Sequence, residues 1–173
     1  METLKKRIFC LLTIALLLTA CKAESATFST LSRQLGIQIP NGQILAEQDS
    51  HGGFHGDGET FIKIKFSEEE AESLTSEMKS SPGWHMLPLT ENLSTILYGY
   101  QSDVFSCSPM ACDENGDLLI PAISNGYWFF MDRHPESTDP SDDSDIFSRY
   151  SYNFTLAVYD MDQRILYYFK MDT

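Results

Sequence analysis

The sequence predicts an α+β fold, with a largely antiparallel sheet of about five strands and two to three short helices. Three observations carry that expectation. Apolar residues recur at helical spacing in separate blocks and at alternating or continuous strand spacing elsewhere. The resulting order is helix, strand, strand, helix, helix, strand, strand, strand, which keeps the helices apart from most strand pairs and disfavours a parallel doubly wound sheet. The chain also ends in a hairpin pattern, Asn153 to Tyr159 and Ile165 to Phe169 around a turn at residues 160–163, with both arms rich in β-branched and aromatic residues.

The amino terminus reads as an address. Met1 to Arg7 is short and basic, and Ile8 to Ala20 is apolar apart from Thr13 and Thr19. This is the pattern of a secretory signal, and the run is shorter than the roughly 20 residues a spanning helix needs. The end of the run, Leu18-Thr19-Ala20-Cys21, resembles the lipobox of bacterial lipoproteins. The resemblance implies removal of residues 1–20 and transfer of a diacylglyceryl group to Cys21, with palmitate-type chains holding the protein on the extracytoplasmic face of the cell membrane. Two or three acyl chains, at about 0.8 kcal/mol per buried methylene, anchor stably where one does so only marginally. An ordinary cleaved secretory signal and an uncleaved anchor are the alternatives, and Lys22 closes the apolar run early for the latter.

Residues 21–27 are then a short tether, and residues 28–173 a single domain. Thr27 is placed to cap a helix with Phe28, Leu31 and Leu35 on one face, ended by Gly36. Pro40-Asn41-Gly42 signals a turn before a strand at Gln43 to Gln48. Thr60 to Phe66 alternates, with Ile62, Ile64 and Phe66 on one face and Lys63 and Lys65 on the other, as in a half-buried strand. Ser67-Glu68-Glu69-Glu70 fits a capping box, opening a helix through Ala71, Leu74 and Met78 until Ser81-Pro82-Gly83. Thr90 caps a second helix running to Tyr98 and closed by Gly99. After an irregular stretch, Tyr127 to Met131 is apolar without alternation, which suits a strand covered on both faces. The acidic run from Asp132 to Asp145 reads as a solvated loop.

Charge and composition exclude several functions. The chain of 173 residues has 12 Lys+Arg against 25 Asp+Glu, a net charge of -13 with 42% hydrophobic residues. Loss of Glu2, Lys5, Lys6 and Arg7 with the signal leaves 9 basic and 24 acidic side chains, net -15. Nucleic acid is excluded as a partner, because neutralising phosphates takes a cluster of cations that this chain lacks.

Candidate chemistry is sparse. Of the four cysteines, Cys10 leaves with the signal and Cys21 is spent on lipid, so Cys107 and Cys112 remain. In an oxidising compartment they are expected to form a disulfide, with two free thiols as the alternative. The glycine-rich segment Asp49 to Glu59 contains His51, His55 and Asp57, a possible Zn²⁺ set with Asp49 nearby. A hairpin loop whose histidines cap backbone groups is the competing reading, because the H-x-x-x-H spacing is diagnostic on a helix and these glycines forbid one. Residues 113–120 resemble part of an EF-hand loop but lack its glycine and its bidentate Glu, so a turn is favoured over Ca²⁺ there, and the acidic run could hold such a cation only loosely. Ser76-Glu77-Met78-Lys79 spells S-x-x-K without the companion elements of penicillin-recognising enzymes. Asp132-Arg133-His134 holds an acid, a cation and a base side by side, but neighbours on extended chain point to opposite faces. No catalytic residue is predicted.

Aromatic residues crowd the final third, and alternation would leave Trp128, Tyr159 and Tyr168 on a surface able to stack on sugars or peptides, unless helices or loops cover both faces. In the Asp49–Gly58 loop and the Tyr-rich end, the body resembles small lipoproteins of Gram-positive anaerobic bacteria to which no activity is assigned. The expectation is a lipid-anchored extracytoplasmic binding or interaction module with a protein, peptide or glycan partner. The alternative is a metal-binding protein or metal-dependent enzyme built on the 49–59 loop.

Overall fold

The computed structural model describes residues 26–52, 56–104 and 106–173. The segment expected to be a signal, Cys21, where acylation is expected, and His55 lie outside the described residues. Helix α1 spans residues 26–35. It is followed by β1 (Gln43–Asp49), β2 (Gly58–Lys65), α2 (Glu68–Ser80), β3 (Trp84–Met86), α3 (Glu91–Tyr98), β4 (Tyr100–Gln101), β5 (Ser106–Cys107), β6 (Gly126–Asp132), β7 (Asn153–Asp160) and β8 (Ile165–Asp172). A 3-10 turn at Ile146–Ser148 lies between β6 and β7. The fold is therefore α+β with an antiparallel sheet, as expected.

The main sheet has six strands in the order β1-β2-β8-β7-β6-β3, and β4 with β5 makes a separate two-stranded ribbon. The strand beyond the expected five is β3. Only three residues long, it carries too little pattern to be read from sequence, and it is fixed from outside: Trp84 pairs with Phe129 of β6, and its indole N–H donates to the Leu35 carbonyl at 3.1 Å. No described helix is long and apolar enough to cross a membrane.

Local rules account for the helices. In α2 the Ser67 side chain accepts from the Glu70 amide while Glu70 reaches back to the Ser67 amide, a complete capping box, and Ala71, Leu74 and Met78 are buried. In α3 the Thr90 side chain accepts from the Leu93 amide, and Leu93, Ile96 and Leu97 face inward. In α1, Phe28, Leu31 and Leu35 are buried and Gly36, at φ 68°, ends the helix in the left-handed conformation only glycine adopts freely. Thr27 is not its cap. Residues 26 and 27, expected in the tether, are already helical.

Helices or loops cover both faces of the sheet. One face, with Ile62, Ile64, Phe129, Tyr159 and Tyr168, packs on α1 and α2. The other, with Phe61, Trp128, Phe130, Phe154, Leu156 and Phe169, packs on α3, the 110–120 segment and Ile146. Burying each such side chain contributes about 1.5–3 kcal/mol of transfer free energy. This corrects two expectations. Strand β2 is not simply half-buried, because Phe61 is covered as well. Trp128, Tyr159 and Tyr168 are no stacking surface either, being 8%, 1% and 2% exposed. Alternation assigns residues to faces but cannot tell which faces are covered.

The acidic loop is only partly solvated. Thr90 donates to an Asp143 carboxylate oxygen, and the Asn92 amide donates to the Asp143 carbonyl at 2.9 Å, so the loop is fastened over the amino end of α3.

Candidate functional site

The 49–59 connection is a tight hairpin as far as it is described. The Ser50 amide donates to the Glu59 carbonyl and the Glu59 amide to Ser50 Oγ, both at 2.9 Å. Gly58 makes the close crossing possible, since a Cβ there would lie 2.5 Å from His51 Cα. His51 is thereby delivered to the end of the sheet, over β8.

There it meets a charged cluster centred on Asp172. His51 Nε2 lies 3.0 Å from Asp172 Oδ2, and His51 Nδ1 lies 2.6 Å from Asp49 Oδ1. Both ring nitrogens therefore face carboxylate oxygens, one from β1 and one from β8. Arg133 donates to Asp172 Oδ1 at 2.6 Å, and Lys170 pairs with Asp172 Oδ2. Arg133 is held in turn by Thr155 Oγ1 at 3.1 Å and by the Phe154 and Met171 carbonyls. Burial pushes the Asp172 carboxyl up, but hydrogen bonds from Lys170 and Arg133, the Arg133 charge and His51 outweigh it and leave the group below its ordinary value. Asp49 is also lowered, first by the hydrogen bond from the His51 amide and then by its ring.

Beside this cluster, α1, β1, β2 and β8 line an open cavity of about 330 Å³. Strand register builds its floor as a grid: Glu47, Ile62 and Tyr168 form one row across β1, β2 and β8, and Asp49, Thr60 and Lys170 form the next. Thr27, Thr30, Leu31 and Gln34 of α1 close it from above. With strands about 4.8 Å apart, acidic β1 and cationic Lys170 stand roughly 10 Å apart at the backbone. Tyr168 donates to Gln34 Oε1 at 2.8 Å, and burial pushes its hydroxyl up to about 12, so it serves as a neutral donor.

The expected metal set does not assemble among the described residues. His51 is there with both nitrogens engaged by carboxylates, Asp57 is exposed on the hairpin, and among the described residues no group of three or more His, Cys, Asp or Glu is placed to hold a metal. Asp113 turns its Oδ1 back onto the Asn115 and Asp117 amides at 2.8 and 2.9 Å, which makes the EF-hand-like segment a turn. Cys107 and Cys112 are free thiols in the structure.

Residues 132–134 go to three different partners. Asp132 pairs with Arg149 from the next loop, Arg133 crosses to Asp172, and His134 Nε2 lies 3.0 Å from Ser151 Oγ. That last contact looks like a nucleophile and base. However, His134 Nδ1 accepts the Glu136 amide at 3.2 Å, so the neutral ring carries its proton on Nε2 and donates to Ser151 instead of activating it.

Sequence reading missed Glu47, Gln34, Lys170 and Asp172. For Lys170 and Asp172 the signal lies in the alternation of Tyr168, Lys170 and Asp172 on one face of the last strand. Linking that strand to residues 47–51, however, requires the β2–β8 pairing, which no local pattern announces. The chain matches no protein-family model, no curated protein and no solved structure.

Proposed function

We propose that the chain is a lipid-anchored protein of the extracytoplasmic membrane face and a non-catalytic binding module, whose site is the cavity between α1, β1, β2 and β8. The observation carrying this reading is the position of the cavity. Ala26 and Thr27, the first described residues, line it. A lipid on Cys21, five positions earlier, would keep the mouth within about 18 Å of chain from the membrane, at about 3.5 Å per residue. The chemistry of the lining agrees, since it offers charged and hydrogen-bonding groups around an apolar patch of Ile62 and Leu31, the mixed character of a recognition site.

Fractionation of cells making the full chain tests it. The wild type is expected in the membrane fraction, extracted only by detergent, and Cys21→Ser is expected to lose both processing and fatty acid. Equal behaviour of the two chains would overturn the anchor. In that compartment Cys107 and Cys112 would meet oxidant, and alkylation before and after reduction reads whether they pair.

A further inference from the structure

We propose that the cavity between α1 and the β1-β2-β8 floor binds a small zwitterion of dipeptide size, its ammonium at Glu47 and Asp49 and its carboxylate at Lys170 and Gln34. The inference rests on the binding-module reading above and supplies its ligand class.

Four features of the cavity support it. Glu47 is exposed and makes no ion pair or hydrogen bond among the described residues, while Asp49 gives Oδ1 to His51, feels the Lys170 charge and keeps Oδ2 without a hydrogen bond, so the β1 side presents open carboxylate oxygens, foremost those of Glu47. On the β8 side, Lys170 commits one of its three N–H groups to Asp172, while Gln34 uses its oxygen for Tyr168 and keeps both amide hydrogens. These two donors are what a carboxylate needs, and the carboxylates opposite are what an ammonium needs. Between them lie Thr60, Ile62 and Leu31, a short patch that accommodates a small side chain and one peptide unit.

The dimensions agree. An extended dipeptide is at most about 7 Å long. Glu47 and Lys170 lie on the diagonal of the two rows, their backbones roughly 12 Å apart, and two hydrogen-bond contacts of about 2.8 Å leave about 6 Å for the ligand between them. A volume of about 330 Å³ lies at the low end for small-molecule sites, which excludes longer peptides unless they protrude. A simple amine would use one end of the cavity, a simple carboxylic acid the other, and a zwitterion both.

Calorimetric titration of the full chain in detergent with L-alanyl-L-alanine, its N-acetyl derivative and its C-terminal amide is the test. Binding of the free dipeptide is expected, with at least about tenfold loss on acetylation and about tenfold on amidation, each blocking one charged contact. Glu47→Gln should reproduce the acetylation effect, and its unchanged melting temperature would show an intact fold, because Glu47 has no partner to lose. No heat from the dipeptide up to about 10 mM would overturn the proposal, as would amide and free dipeptide binding alike. The latter would mark a site for cations only. An unacylated chain that still binds the dipeptide would refute the anchor alone, and an acylated chain that binds none would refute the ligand alone.

Discussion

His51 Nε2 sits 3.0 Å from Asp172 Oδ2 although 121 positions separate the two residues. The contact ties the glycine-rich hairpin to the last strand of the sheet, and its neighbours Asp49 and Lys170 line the cavity. Asp172 also faces Arg133 and Lys170, so one carboxylate organises three side chains from three segments.

Removing that carboxylate should therefore cost more than a single surface ion pair. Asp172→Asn leaves Arg133, Lys170 and His51 without their common anion in a mostly buried place, at about 2–3 kcal/mol, or roughly 5–10 °C in melting temperature. A melt within about 1 °C of wild type would contradict the cluster's role.

The same carboxylates set the acid limit. Asp49, Asp132 and Asp172 all titrate below the ordinary carboxylate range in the folded chain. Their contribution is fully present above the unfolded-state value near 3.9 and is lost as pH falls through the lower folded values. Denaturant midpoints should be flat from about pH 7 to 5 and drop below about pH 4, with a shallower drop in Asp172→Asn. An equal drop in both chains would contradict the assignment.

Because His51 is spent on Asp49 and Asp172, its loss should weaken the fold whether or not a chelator is present. His51→Ala is expected to lower stability by about 1–2 kcal/mol, and EDTA to leave the wild-type melting temperature unchanged. A chelator-sensitive wild type with one equivalent of Zn²⁺, lost in His51→Ala, would instead favour the metal reading.

Thr90 accepts from the Leu93 amide at 3.2 Å and donates to Asp143, so it both caps α3 and holds the acidic loop. Thr90→Ala should cost about 1–2 kcal/mol, against about 1 kcal/mol for the single cap lost in Ser67→Ala. It should also open residues 136–145 to limited proteolysis, while Thr90→Ser keeps both bonds. Wild-type protease resistance in Thr90→Ala would show that the loop is held elsewhere.

Covered aromatics separate from surface ones in the same way. Tyr159→Ala, at a position 1% exposed, should cost about 3–5 kcal/mol. Tyr150→Ala, at a fully exposed position, should fall within about 0.5 kcal/mol of wild type by chemical denaturation. Equal costs at the two positions would reinstate the stacking-surface reading of the aromatic strands.

Local rules made much of this fold legible. The Ser67–Glu70 box, the Thr90 cap, the Gly36 and Gly99 helix ends and the terminal hairpin each follow from a few neighbouring residues, and each is present. What depended on register was not legible. Strand β3 is defined by its partner, Tyr168 is hidden by a helix some 130 positions earlier, and Lys170 meets Asp49 only across β2. Of the candidate site, His51 and Asp49 stood out by their glycine-rich setting, yet their partner proved to be a carboxylate at the far end of the chain. Spacing identified the histidine, and only the fold assigned it a role.

The anchored binding module is tested most directly by the intact mass of the mature protein extracted from membranes with detergent. The mass should equal residues 21–173 plus a diacylglyceryl group, with or without an amide-linked acyl chain. A mass that retains residues 1–20, or that begins at residue 21 or beyond with no lipid, would contradict it.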